Sequence, residues 1–168
     1  MHILLTRSFE DSKELIIKFQ SLGHKVSHLP LIKIENKKYK ELNFTEFSGI
    51  IFTSSNAVKY LNLKKINKNI YCFCVGSATE RTARLNGFQN VYTADGNVNN
   101  LKEIILQYFN YKNEKLLYVS GEIISSNLDK DLISEGYSIK RLINYSVLPI
   151  DNLDLKFIEQ LKSSLPEI

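Results

Sequence analysis

The sequence predicts an α/β protein whose parallel sheet is flanked by helices. Short apolar runs such as Ile3–Leu5 and Gly49–Phe52 alternate with amphipathic segments almost from end to end. Strands that alternate with helices are typical of a parallel sheet with helices on both faces. Two long extended segments, 25–34 and 138–148, bracket the middle of the chain. The length of 168 residues allows one domain or two small lobes.

The first part of the chain predicts only a strand, a helix and a second extended segment. In order, these are a strand at 3–6, a helix from Ser8 or Asp11 to Gly23, and the segment 25–34. One face of the helix is apolar and carries Leu15, Ile16, Phe19 and Leu22. The polar stretch 35–40 predicts a hinge or a domain boundary. Three elements are too few to bury a core, so this first lobe looks unfinished.

The alternation continues regularly through the rest of the chain. The predicted strands are 49–53, 70–75, 90–93 and 115–119, and the predicted helices are 56–61, 78–86, 98–109 and 126–135. Gly87 and Gly136 end two of these helices, because glycine easily adopts the positive φ that follows a helix. An extended segment at 138–148 and a helix at 155–165 complete the pattern.

Composition excludes several classes of protein. With 43% hydrophobic and 24% charged residues, the chain is typical of a folded protein and not of a disordered one. The net charge of +4 is too small for a typical nucleic-acid binder but suits an anionic small molecule. No apolar run approaches the roughly 20 residues of a membrane-spanning helix. The N-terminus lacks the features of a secretory signal, which predicts a cytoplasmic protein.

The two cysteines predict packed core thiols. Cys72 and Cys74 lie two residues apart on a predicted strand, so both point to the same face. Structural metal sites normally need a second pair of ligands, and the three histidines do not supply one. We therefore expect reduced, buried thiols without a metal or redox role.

Four turns after predicted strands are the candidate ligand-binding segments. In parallel α/β sheets, ligands collect at the carboxyl ends of strands, where helix N-termini offer free N–H groups. Small and hydroxyl residues there suit carboxylates or phosphates, although each turn taken singly is also explained by helix capping. The turns are Thr6–Ser8, Thr53–Ala57, Gly76–Thr79 and Ser120–Glu122.

Several well-known catalytic motifs are absent from the sequence. There is no GxGxxG after the first strand, no P-loop, no nucleophile elbow and no paired-carboxylate arrangement. Thr6 and Thr53 stand where a phosphoacceptor receiver domain carries acidic residues. An enzyme with this sequence would act by holding a reactive substrate in one conformation, without a strong nucleophile.

Six stretches of the sequence form a recognisable series; in chain order they are Ile3–Ser8, Leu29–Ile32, Phe52–Val58, Cys74–Thr79, Leu117–Glu122 and Ile143–Tyr145. These stretches resemble motifs of the uroporphyrinogen-III synthase family, whose members close the tetrapyrrole macrocycle. The third of these is the most specific. Six loose motifs in the expected order and spacing, across nearly the whole chain, identify it as similar to this family.

The resemblance implies two lobes, each a parallel sheet flanked by helices, joined by a two-stranded ladder. It also implies that hydroxymethylbilane, a linear tetrapyrrole with eight carboxylates, binds in a cleft between the lobes. The expected reaction is cyclisation to uroporphyrinogen III with ring D inverted through a spiro intermediate, within heme biosynthesis. No metal or organic cofactor, nucleic acid or membrane partner is implied.

The resemblance also suggests site residues. Thr79 and Tyr145 match positions that the family places at the cleft, and Tyr145 would donate a hydrogen bond to the departing hydroxyl. From spacing alone, Tyr145 is a half-buried strand aromatic. The predicted substrate-binding residues are Thr6, Arg7, Ser54, Ser55, Asn56, Ala57, Gly76, Ser77, Ser120, Gly121 and Glu122.

Family members continue beyond this point with elements that complete the first lobe, so the resemblance predicts a shortened member. The expected organisation is 1–34 for the first part of lobe 1, 35–138 for lobe 2, and 139–168 for a connector strand and the start of the return. Uncovered apolar faces in lobe 1 predict a homodimer through that lobe. The alternative is a non-catalytic tetrapyrrole- or anion-binding module that retains half of the cleft. Half of a periplasmic-binding-like sensor is a third interpretation.

Overall fold

The computed structural model describes residues 1–153 and 155–167, and the chain divides into two compact units. The first unit comprises residues 1–35 together with 147–168, and the second comprises Asn36–Ser146. The predicted lobe 2 stopped at residue 138. The second unit extends to Ser146 because residues 138–145 pair with a neighbouring strand. Positions 154 and 168, within the predicted last segment, lie outside the described residues.

Strands and helices alternate as the sequence predicts. The strands are β1 (His2–Leu5), β2 (Lys25–His28), β3 (Ile32–Asn36), β4 (Phe47–Phe52), β5 (Tyr71–Val75), β6 (Val91–Ala94), β7 (Lys115–Gly121) and β8 (Ser138–Pro149). The helices are α1 (Phe9–Ser21), α2 (Ser55–Lys59), α3 (Ser77–Leu85), α4 (Val98–Tyr108), α5 (Leu128–Ser134) and α6 (Leu155–Ser163). Two short 3-10 helices, Phe44–Glu46 and Leu63–Lys65, were not predicted.

The first unit contains a parallel pair of strands, β1 and β2, connected by α1. Ser8 caps α1, since its hydroxyl accepts the amide hydrogen of Asp11. Gly23 follows the helix with φ at +78°. The predicted apolar face of α1 is covered only in part, because Leu15 and Leu22 are 41% and 61% exposed.

One predicted segment was wrong. The extended stretch 25–34 is two strands, because β2 ends at His28 and β3 begins at Ile32. Pro30 lies between them and has no amide hydrogen to donate to a ladder. The two strands also take different neighbours, since β2 pairs with β1 whereas β3 lies next to β8.

The larger sheet has the order β3-β8-β7-β4-β5-β6. The pairs from β8 to β6 are all parallel. β3 runs antiparallel to β8, since the amide of Ile150 donates to Leu31 and that of Lys37 donates to Asn144. Residues on both faces of the central strands are buried, which explains their nearly continuous apolar runs.

Two layers of helices cover the sheet of the second unit. Side chains that alternate along the central strands, such as Ile51 and Phe73, pack with Leu101 and Ile105 of α4 and with Leu132 of α5. The intervening strand residues are also buried, as are apolar residues of α2 and α3: Ile50, Phe52, Cys72, Cys74, Ala57, Val58 and Ala83. Within the described residues, no helix is long and apolar enough to cross a membrane.

The two thiols belong to this core, as the sequence predicts. Cys72 and Cys74 are fully buried on β5, with their Sγ atoms 3.8 Å apart. The contact between the thiols, together with burial, raises the pKa of Cys72 well above its usual value. Because the thiolate is the reactive form, both groups should be inert in the folded protein.

We expect neither Cys72 nor Cys74 to be alkylated by a short pulse of iodoacetamide at mildly alkaline pH. In concentrated guanidinium chloride both should label fully, because unfolding exposes the two buried thiols to the reagent. Mass spectrometry counts the added groups in each condition. Labelling of the folded chain as fast as that of an unstructured cysteine peptide would contradict this prediction.

Candidate active site

The order of the strands reverses at β4, and this reversal marks the candidate site. From β4 the chain proceeds outward through β5 and β6, then returns to β7 on the other side of β4. In open parallel sheets, such a reversal leaves a crevice outside the carboxyl ends of the two central strands, and ligands bind there. The carboxyl ends of β4 and β7 are therefore where a ligand is expected.

A cavity of about 620 Å³ lies at this position within the second unit. Its size is within the range of ligand-binding pockets. The walls come from the ends of β4, β5 and β7, from two loops and from β8. The lining residues are Thr53, Val75, Gly96, Asn97, Val98, Asn99, Tyr118, Gly121, Ile123, Ile124, Ser125, Ser126 and Tyr145.

Two hydroxyl groups meet in the lining of this cavity. The Tyr118 Oη lies 3.3 Å from the Thr53 Oγ1, which is within hydrogen-bond distance. Tyr118 is 1% exposed, and burial raises the pKa of its phenol while the bond with Thr53 opposes that shift. The phenol is therefore neutral at physiological pH and retains a proton that it can donate to a ligand.

Tyr145 lies in β8 against the end of β7. The Ser120/Gly121 junction contains an irregularity that sets Gly121 opposite Tyr145. A Cβ on Gly121 would approach the Cε2 and Cζ atoms of Tyr145 to 2.8 Å, closer than van der Waals contact allows. Only glycine therefore leaves room for the Tyr145 ring in its observed position. The amide of Glu122 donates to the Tyr145 carbonyl at 3.0 Å and fixes the backbone there.

Arg141 braces the segment that leaves β7. Its Nε donates to the Ser120 Oγ at 2.8 Å, and its Nη2 donates to the carbonyls of Gly121 and Glu122 at 2.9 and 3.1 Å. A planar guanidinium holds several acceptors in fixed directions, which a lysine cannot do. Arg141 therefore positions the backbone beside Tyr145.

The turn between β6 and α4 forms another wall. Asn97 caps α4, since its Oδ1 accepts the amide hydrogens of Asn99 and Asn100 at 2.9 and 3.2 Å. The positive end of the α4 dipole therefore lies at the cavity and favours a negative charge there. Ser126 contributes a buried hydroxyl for which the described residues offer no hydrogen-bond partner.

The predicted residues after β4 hold α2 in place. Ser54 caps α2 by accepting the amide hydrogen of Asn56 at 3.2 Å, and Ser55 is the first residue of the helix. The carbonyl of the buried Ala57 accepts a hydrogen bond from Asn144 Nδ2 at 2.8 Å. These residues adjoin the strand end that supplies Thr53 to the cavity, and they are not among the residues that line it.

The predicted residues after β5 lie at the start of α3. Gly76 has φ at +77°, and its amide donates to the Ala94 carbonyl at 3.0 Å. Ser77 is exposed, whereas Thr79 is 4% exposed. Val75, immediately before this turn, is the residue that reaches the cavity.

The remaining predicted residues lie near the end of β7 in the second unit or in the first unit. Ser120 and Gly121 belong to β7 and not to the turn after it, because pairing with β8 continues to Gly121. The side chain of Glu122 forms an ion pair with Lys37. Thr6 and Arg7 belong to the first unit, where their carbonyls accept hydrogen bonds from the Leu31 amide and the Ser12 hydroxyl respectively.

Sequence reasoning missed several lining residues. The turn at Gly96 and Asn97 follows a predicted strand and starts a helix with a favourable N-cap residue, so the rule applied to the other turns would have found it. Tyr118 carries no such signal, because within an apolar run it is typical of a core residue. Its role depends on the neighbouring strand, which supplies Thr53.

No cluster of three or more His, Cys, Asp or Glu side chains suited to a metal ion occurs in the part of the chain that the structure describes.

Comparison with known proteins places the chain in a family. A family model described as uroporphyrinogen-III synthase HemD matches residues 13–168. The chain belongs to the uroporphyrinogen-III synthase family. This confirms the family predicted from the six sequence motifs. Among curated protein sequences, none matches significantly.

Solved structures of the same family have a similar fold. Uroporphyrinogen-III synthetase from Helicobacter pylori aligns with a TM-score of 0.62 at 22% identity, over 99% of this chain and 68% of that one. A mutant uroporphyrinogen III synthase from the extremely thermophilic bacterium Thermus thermophilus aligns with a TM-score of 0.56 at 14% identity, over 98% and 68% of the two chains. At these identities the likeness concerns the fold, a parallel sheet flanked by helices.

Proposed function

We propose that this protein is a uroporphyrinogen-III synthase that cyclises hydroxymethylbilane to uroporphyrinogen III. The observation that carries the proposal is the cavity at the reversal of strand order, which two tyrosines and a threonine line. Family membership supports the proposed reaction, and the cavity supports the proposed position of the substrate. A lyase that forms the tetrapyrrole ring is the reaction class that the family supports.

The proposed reaction begins with loss of the ring-A hydroxyl as water, which leaves an azafulvene. Ring D then attacks the exocyclic carbon through its own already substituted carbon and forms a spiro intermediate. The bond that originally joined ring D to the methylene group of ring C then breaks. That methylene carbon bonds to the unsubstituted α-carbon of ring D, which loses its proton, and ring D is thereby inverted. The substrate is reactive by itself, so the protein must favour this path over uninverted closure.

We assign Tyr145 the role of a hydrogen-bond donor to the departing hydroxyl. The phenol of Tyr118, which lines the same cavity, is kept neutral by burial and is a second hydrogen-bond donor there. Tyr118 and Thr53 are proposed to hold one side of the bound substrate. Orienting a flexible substrate can by itself accelerate a reaction strongly, because the entropy of alignment is lost on binding and not in the chemical step.

The carboxylates of the substrate are proposed to bind at the helix N-termini and hydroxyls that follow the strand ends. In the second unit these are the substrate-binding residues predicted from sequence: Ser54, Ser55, Asn56, Ala57, Gly76, Ser77, Ser120, Gly121 and Glu122. Thr79, which the resemblance places at the cleft with Tyr145, is proposed to assist at the reacting end of the substrate. Thr6 and Arg7 of the first unit are proposed for the same role. Helix N-termini and turns with free N–H groups are suited to anions.

The test is to supply hydroxymethylbilane, generated in place, and to separate the uroporphyrin I and III isomers after oxidation. We expect an excess of isomer III over the protein-free control, in which hydroxymethylbilane closes without inversion of ring D. Tyr145→Phe and Tyr118→Phe should each lower the rate of isomer III formation by about 3- to 10-fold, the equivalent of one hydrogen bond. Tyr108→Phe is the matched control, because Tyr108 is 46% exposed and lies outside the cavity lining.

Isomer I alone, from protein shown to be folded by circular dichroism, would overturn the proposal. If that protein also bound uroporphyrin, the alternative of a non-catalytic tetrapyrrole-binding module would replace it. Equal rates for the three tyrosine variants would remove the cavity hydroxyls from the mechanism.

A further inference from the structure

A second cavity of about 650 Å³ lies in the second unit, beside the first. One wall is the segment 36–44, which links β3 to β4. The other wall is the segment 59–65, which follows α2. We call this cavity the lysine groove, because it is lined by Lys37, Lys38, Lys59 and Lys65.

The groove has an excess of positive charge. Against its four lysines, the lining contains one acidic side chain, Glu41. Lys65 pairs with Glu41, and Lys37 pairs with Glu122 from outside the groove. Exposed pairs of this kind contribute about 0–1 kcal/mol, so a ligand carboxylate can replace either glutamate at little cost. A concave surface lined by one sign of charge also concentrates ligands of the opposite sign.

An aromatic contact connects the groove with the first cavity. Tyr60 lines the groove, and its ring centroid lies 6.4 Å from that of Tyr145, which lines the first cavity. This pair of rings therefore joins the lining of the first cavity to the lining of the groove. A hydrogen bond connects the two walls of the groove, since the Tyr39 hydroxyl accepts the amide hydrogen of Asn62 at 2.8 Å.

We infer that the lysine groove is a binding site for polycarboxylates. Under the proposed function, on which this identification of the ligand rests, the groove receives the carboxylates of the tetrapyrrole that extend past Tyr60. Recognition is by charge, so affinity falls as salt rises and increases with the number of carboxylates. Uroporphyrin, with eight carboxylates, is expected to bind more tightly than coproporphyrin, with four.

The direct probe is benzenehexacarboxylate, a compact polycarboxylate that needs no turnover. We expect it to shift the backbone amide resonances of segments 36–44 and 59–65 in a titration followed by NMR. Lys38→Gln combined with Lys59→Gln should weaken its binding by about tenfold or more. Lys130→Gln combined with Lys140→Gln is the matched control, because these two lysines are exposed, lie in the same unit and are outside the groove. The control should change affinity by less than twofold.

Equal weakening in the two double variants, or shifts distributed outside the groove, would overturn the inference. Replacement of both groove lysines by arginine preserves charge and should retain most of the binding. The isomer assay separates this inference from the proposed function. Binding at the groove without formation of isomer III would leave the groove in place and reject the synthase. Isomer III without any binding of benzenehexacarboxylate would reject the groove alone.

Discussion

Replacement of Gly121 by alanine is expected to lower isomer III formation by at least about tenfold and to destabilise the second unit by about 1–3 kcal/mol. The added Cβ would lie 2.8 Å from two ring carbons of Tyr145, so the ring must move. The backbone on both sides is fixed by Arg141 and by the Glu122 amide, so the segment cannot yield instead. The isomer assay measures the rate of isomer III formation. Urea unfolding, followed by the near-UV circular dichroism of the tyrosines, measures the free energy of unfolding.

Two further variants show whether this effect acts through Tyr145. Gly49→Ala is the matched overpacking control, because its Cβ would approach the Leu116 Cδ2 to 2.5 Å in the core and away from the cavity lining. It should destabilise the protein comparably and leave the rate of the folded fraction unchanged. In a Tyr145→Ala background, Gly121→Ala should lower the rate of isomer III formation and the free energy of unfolding little further. Full activity and stability of Gly121→Ala would show that the Tyr145 ring is not confined.

Much of the fold was predictable from sequence because local signals and tertiary packing agree. The apolar runs of β4, β5 and β7 are long enough to be buried on both faces, and glycines after α1, α3 and α5 have positive φ. The division of 25–34 was not predicted. Pro30 is a local signal for the break, but the choice of partner strand is not a local property. The pairing of β2 with β1 and the position of β3 beside β8 show that the segment divides there.

The position of the first cavity was easier to anticipate from the sequence than the residues that line it. Turns after strands predict where ligands bind, and Thr53 and Gly121 from two of those turns line the cavity. Tyr145, which the family resemblance suggested, lines it as well. Tyr118 and Arg141 were missed because each depends on residues distant in sequence, Thr53 for the first and the end of β7 for the second. Lys37 and Lys38 belong to the polar stretch 35–40 that the sequence predicts as a hinge or domain boundary. Their place in a groove becomes visible only when α2 and the following turn supply the other wall.

Replacement of Asn144 by aspartate is expected to destabilise the second unit by at least about 3 kcal/mol at neutral pH. Asn144 is fully buried, and its Nδ2 donates to the Ala57 carbonyl at 2.8 Å, which ties β8 to α2 next to Tyr145. An ionised aspartate has no hydrogen to donate and would face a carbonyl oxygen without water. The free energy of unfolding by urea, measured for the variant and the original protein, gives the size of the loss.

The loss from Asn144→Asp should also depend on pH in a definite direction. Only the protonated carboxyl can donate to Ala57, and burial opposes its charge, so the pKa of the introduced group is higher in the folded state than in the unfolded chain. A group of this kind keeps its contribution at pH values below its unfolded pKa and loses it as pH rises through the folded pKa. The deficit relative to the original protein should therefore be smaller at pH 5 than at pH 8. Asn110→Asp, at an exposed position, is the matched control and should show a small deficit that does not vary over this range. A large deficit for Asn144→Asp that stayed constant across it would mean that lost packing, and not the buried charge, destabilises the variant.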